Sequence, residues 1–137
     1  KPDSDIEYSG IVASRPYVER QSRWLKEVLA SEECKNAEVR IVFCHVPPES
    51  NGWYGAVQMC ELLVKPLNEA DIDAMFCGHI HKWRVDEPDG KISNANFPVI
   101  SNPNLQRMEV TLTKDSIDIK TFDTNGVNIN KRTFKLK

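Results

Sequence analysis

The three histidines of this chain fall in two short segments, Cys44-His45-Val46-Pro47-Pro48 and Gly78-His79-Ile80-His81. Imidazole nitrogen is a ligand for zinc, iron and manganese alike, and two such segments brought together would make a metal site. Each segment directly follows an apolar, strand-like run, Val39 to Cys44 in one case and Asp73 to Cys77 in the other. A strand end that opens into a loop can aim a ligand into a cleft, so His45, His79 and His81 are the candidate metal ligands. A blander reading stands beside this one. A His-x-His at a strand end is also an ordinary surface or hydrogen-bonded pair, and Gly78 serves a sharp turn as readily as it clears a cleft.

Other residues near these segments have chemistry to offer. Cys44 and Cys77 adjoin the histidines and would suit a structural zinc site, but alternation along a strand turns Cys44 to the opposite face from His45. Trp53 and Tyr54, in the loop after His45, read either as a wall for a substrate or as aromatics that pack the loop back on the fold. Lys82 and Arg84 follow the last histidine and are candidate phosphate contacts, with a solvated role as the alternative. Asp3, Asp5 and Glu7 read as a solvated acidic run.

The elements that must position these residues follow from periodicity. Residues Glu19 to Ala30 place Trp24, Leu25, Val28 and Leu29 on one side of an amphipathic helix. The strand Val39 to Cys44 leads into a loop from Val46 to Gly55, and a second helix is expected from about Ala56 to Glu69. Its apolar positions are Val57, Cys60, Leu63, Val64 and Leu67, with Pro66 disturbing the final turn. Strand, helix, strand is a right-handed crossover, so the two strands should run parallel and release His45 and His79 at the same sheet edge. From Trp83 onward the pattern changes. Turn signals at Asp86 to Gly90 and Asp123 to Gly126 punctuate alternating strands at Met108 to Thr113 and Ser116 to Lys120, predicting a closing antiparallel meander.

Composition bounds the remainder. A chain of 137 residues suits a single domain, here 1–137, with residues 1–15 expected to be flexible. Its 18 basic and 20 acidic residues are mixed, so no nucleic-acid surface is evident. No apolar run approaches the roughly twenty residues of a membrane span, and no signal peptide is visible. Localisation stays open, with soluble, periplasmic and secreted settings all compatible. The four cysteines contain no Cys-x-x-Cys and read as reduced, structural thiols.

In combination, Ile41 to Pro48, the stretch Val64 to Asp73, Gly78 to His81 and the upstream Gln21-Ser22-Arg23-Trp24-Leu25 resemble the C-terminal half of the calcineurin-like metallophosphoesterases, the superfamily that includes the purple acid phosphatases. The likeness covers about Lys1 to Asn102 well and the rest only by strand pattern. It implies an α/β fold that is half of a four-layer α/β/β/α sandwich, a strand-helix-strand unit followed by an antiparallel meander. It also implies hydrolysis of phosphate esters at a binuclear centre of zinc, manganese or iron, divalent or mixed-valence, in which His45 and His79 share one metal and His81 binds its neighbour. The family's earlier motifs, Asp-x-His, Gly-Asp and Asn-His-Asp/Glu, do not occur in this sequence. The resemblance therefore implies a missing N-terminal half as partner, and an isolated chain holding little or no metal and lacking activity. The alternative is a freestanding, non-catalytic metal-binding or interaction module.

Overall fold

Two apolar runs joined by a helix can pair in parallel only by crossing over a sheet, and the computed structural model, which describes residues 14–136, has that arrangement. Helix α1 (Ser14–Leu29) is followed by the single turn α2 (Glu32–Lys35) and strand β1 (Ile41–Phe43). The crossover then runs through α3 (Tyr54–Met59), a π-helical segment Cys60–Val64 and α4 (Lys65–Asn68) to strand β2 (Ala74–Cys77). β1 and β2 are parallel, with Ile41 opposite Ala74 and Phe43 opposite Phe76.

The flexible segment expected at 1–15 falls mostly on residues 1–13, outside the described residues along with Asp3, Asp5 and Glu7. Ser14 and Arg15 already belong to α1. The face expected of this helix is split. Leu25 and Leu29 pack on the core, while Trp24 is 59% exposed and Val28 is exposed beside it. At about 100° per residue, Trp24 and Leu25 cannot both face one narrow seam.

Pro66 reshapes the second helix in a way that can be traced atom by atom. A proline has no N–H to give the carbonyl four residues earlier, and its ring crowds that carbonyl. The turn before it is the π-helical segment, and the Leu62 carbonyl accepts instead from the Ser22 hydroxyl of α1 at 2.7 Å. Ser22 is buried for this purpose.

Two further strands complete the first sheet. β3 (Arg84–Asp86) and β4 (Val99–Ser101) give the order β1-β2-β4-β3, with β4 parallel to β2 and β3 antiparallel to β4. One face of this sheet meets the helices through Cys60, Val64, Leu67, Met75, Phe97 and Val99. The other meets a second sheet, the antiparallel meander β5 (Arg107–Leu112), β6 (Ser116–Phe122) and β7 (Asn128–Lys135). There Ala74, Phe76 and Ile100 pack against Ile117 and Ile119. The result is three layers, helices on sheet on sheet, as a partial metallophosphoesterase sandwich requires. β1 is an edge strand, and Phe43 on it is 79% exposed. Among the described residues no helix is long and apolar enough to cross a membrane.

Candidate metal centre

The sheet hydrogen bonding continues past both strand ends and so fixes the histidine loops. Cys44 N donates to Phe76 O at 3.0 Å, and Gly78 N donates to His45 O at 3.0 Å. The His45 and His79 rings meet edge to face, 5.3 Å between centroids and 87° between planes. The loop that carries His79 is tight. Ile80 N donates to Gly78 O at 2.7 Å, and His79 and His81 both take left-handed backbone conformations, at φ 62° and 56°. A non-glycine residue held there costs on the order of 1–3 kcal/mol, and such strain gathers at functional sites. Gly78 itself is not forced by crowding, because a β-carbon there would meet His45 Nδ1 at 3.5 Å, an ordinary contact.

The structure thus joins His45 with His79. His81 is exposed, and among the described residues no group of three or more His, Cys, Asp or Glu side chains is arranged to hold a metal ion. Converging imidazoles are the right donors for zinc, manganese or iron, but two rings are fewer than a metal centre needs.

Cys44 and Cys77 also line the cleft beside His45 and Gly78. All four cysteines are free. Cys77 and Cys60 lie in the core on the helical side of the sheet, and Cys44 packs against it. Burial pushes all three thiols up, Cys60 to about 11.

Trp53 is the candidate wall residue that reaches the histidines. Its indole stacks on the His79 ring at 5.3 Å and 27°, and is still 49% exposed. Its six-membered ring lies over Gly55, where a β-carbon would come within 2.3 Å of it. Tyr54 turns elsewhere, its hydroxyl accepting from Gln58 Nε2 at 2.9 Å and lying against Arg15 of α1. Lys82 is exposed.

Arg84 is committed to the interior. Its Nη2 donates to Asp86 Oδ2 at 3.0 Å, its Nε lies 2.9 Å from Oδ1 without hydrogen-bond alignment, and its Nη1 is 3.5 Å from Glu49. Asp86 is 1% exposed. Burial pushes its carboxyl above the usual range, and the Arg84 charge opposes this. Glu49 belongs to the loop after His45, whereas Arg84 opens the strand after His81, so this ion cluster ties the two histidine loops together.

A cleft of about 480 Å³ opens beside His45 and Gly78, and its far wall is Asn102, Gln106 and Arg107. None of these three was singled out from the sequence. The signal for them is tertiary, since only the parallel pairing of β4 with β2 carries residues past 101 to the histidine edge. A hollow of similar size, about 470 Å³ between Leu29, Cys34, Arg40 and Pro66, lies on the helical side and holds no histidine.

Residues 4–83, which include all three histidines, match the calcineurin-like phosphoesterase family. The match covers more than half of the chain, and the chain belongs to that family. The family's activity is metal-dependent phosphoester hydrolysis, and its members generally use divalent metals. No curated protein matches the chain.

Proposed function

We propose that this chain supplies one side of the binuclear metal centre of a phosphoesterase. His45 and His79 share one metal in this reading, and His81 binds its neighbour. The remaining ligands come from a segment carrying the Asp-x-His, Gly-Asp and Asn-His-Asp/Glu motifs that this sequence lacks. When bound, such a metal pair polarises the phosphoryl group and supplies the nucleophile. The observation that carries the reading is the edge-to-face approach of His45 and His79 on a strained loop, inside the span that matches the family.

The chain's own residues do the positioning. Trp53 braces His79 by stacking and offers its exposed edge to the substrate's leaving group. Tyr54 supports that loop through Gln58 and Arg15. Lys82 is the exposed cation next to His81, and Arg84 acts from within by holding the loops in place. Alone, the chain binds metal weakly and turns over no phosphate ester.

A zinc titration of the chain tests this. The wild-type protein is expected to take up zinc, and His79→Ala is expected to weaken uptake at least tenfold, since removing one ligand of two or three leaves too few donors. Equal uptake by the two proteins would overturn the ligand assignment. The second reading is a non-catalytic metal-binding or interaction module. Supplying a segment with the three missing motifs separates the two. Turnover of a phosphate ester supports the first reading, and a bound but silent complex supports the second.

A further inference from the structure

We infer that Gly55 is a positioning residue for His79, acting through Trp53: the missing side chain opens the slot that lets the indole lie on the imidazole. The inference rests on the phosphoesterase reading, in which His79 holds metal, and it adds the residue that keeps this imidazole in place.

A glycine is needed either for its backbone or for its space, and the two cases separate cleanly in this chain. Gly90 and Gly126 have left-handed backbones, at φ 73° and 80°, and a β-carbon on either would meet nothing closer than 3.8 Å. Gly55 is the reverse. It follows Tyr54 in the first turn of α3 and lies outside the left-handed region, so the helix itself would favour alanine there. A β-carbon on it would nevertheless come within 2.3 Å of both Cζ3 and Cη2 of Trp53, and within 3.1 Å of Cε3. These atoms belong to a rigid ring. A side chain at position 55 and the indole in its present place therefore exclude each other.

What the slot secures is the contact with His79. The indole lies on the imidazole at 5.3 Å and 27°, and His79 in turn meets His45 edge to face at 5.3 Å. Slot, indole and two imidazoles form one packed series that joins the loop after β1 to the loop after β2. His79 requires such a brace, because its left-handed backbone at φ 62° persists only where the surroundings over-determine it. Neighbours that orient a metal ligand matter to the metal as well, and losing one typically weakens affinity about 10–100-fold.

The test reads the ring current of the indole in the metal-free chain. In wild type the carbon-bound protons of the His79 imidazole should resonate upfield of an exposed histidine, and Trp53→Leu marks their unshifted position. Gly55→Ala should move them to that position and weaken zinc uptake about tenfold. Combining Gly55→Ala with Trp53→Phe should recover part of both, because a phenyl ring is shorter than an indole and leaves the methyl its room. A merely structural loss at position 55 would not be rescued by a second substitution in its neighbour. Wild-type shifts and uptake in Gly55→Ala overturn the inference, as does the lack of an upfield shift in wild type. Trp53→Leu leaves position 55 untouched and should weaken zinc uptake by a similar factor, and wild-type uptake there overturns the inference too. Zinc titration of His79→Ala keeps the two readings apart. If it loses zinc while Gly55→Ala behaves as wild type, the metal assignment stands and the positioning role falls. If it takes up zinc like wild type while Gly55→Ala loses the upfield shift, the indole slot stands and the ligand assignment falls.

Discussion

The two sheets of this protein are built on opposite plans. Strands of the mixed sheet are three or four residues long, and β2 and β4 are buried at every position. The meander has strands of six to eight residues, and β6 alternates buried Ile117, Ile119 and Thr121 with more accessible neighbours. The strands of the mixed sheet stop early, and the chain runs on from their ends into loops. That is where His45, His79 and the turn to Arg107 lie. The meander contributes one face to the core, and the start of its first strand borders the cleft. Chemistry in this fold sits where the short strands stop, and the long strands brace them from behind.

The largest effect expected from breaking this arrangement is at the ion cluster behind the histidine loops. Arg84→Ala leaves the Asp86 carboxylate buried at 1% exposure without its countercharge, which should cost about 3 kcal/mol or more of folding stability in urea denaturation. Were Arg84 instead a substrate contact, stability would hardly move. The pH dependence has a definite sign. Burial pushes the Asp86 carboxyl up, so the folded state holds that proton more tightly than the unfolded chain does. Its contribution is complete below the unfolded value and is lost as pH rises through the raised folded value. Asp86→Asn should remove that slope from stability measured across the acid range, and Arg84→Ala should steepen it. An unchanged slope in both would count against the cluster as described.

A second comparison lies inside the meander. Ile119 and Val110 are register partners on β6 and β5, but Ile119 is fully buried against the mixed sheet and Val110 is 37% exposed. Ile119→Ala should cost about 3 kcal/mol through lost contacts and a cavity, whereas Val110→Ala should cost under about 1 kcal/mol. Equal losses would mean that the free end of β5 is covered in solution, and the layer description would need a further element over Val110 and Leu112.

Much of this was legible in the residues, and the failures are instructive. The crossover and the meeting of His45 with His79 follow from apolar runs, helix spacing and the handedness of a parallel connection. Strands β5 and β6 follow from alternation, and the turn at Asp123 from its side chain, which accepts from Asn125 N and Val127 N. Strand β4 was invisible, because Val99-Ile100-Ser101 is too short to alternate and is buried on both sides. Missing β4 meant missing the whole far wall of the cleft. The eight-residue β7 was also hidden, since Asn128 to Lys135 is mostly polar and gains its place by pairing with β6. Arg84 misled for a different reason. Sequence shows a cation next to a candidate site, and only the fold shows that Asp86, two residues on, takes it inward.

The smallest effect concerns the helical layer, where one hydroxyl repairs what one proline breaks. Pro66 leaves the Leu62 carbonyl without its usual helical donor, and Ser22 Oγ supplies the replacement at 2.7 Å from a neighbouring helix. Ser22→Ala removes the donor and leaves a carbonyl without its partner, which should cost about 1 kcal/mol in a urea melt. Pro66→Ala should act in the other direction locally, because the restored N–H can reach back to Leu62 and compete with the serine. In that background Ser22→Ala should become nearly silent, so the two substitutions should be non-additive by most of the single serine effect. Additive losses would mean that Ser22 stabilises α1 by packing alone, and that the π-helical segment Cys60–Val64 has a cause other than the proline.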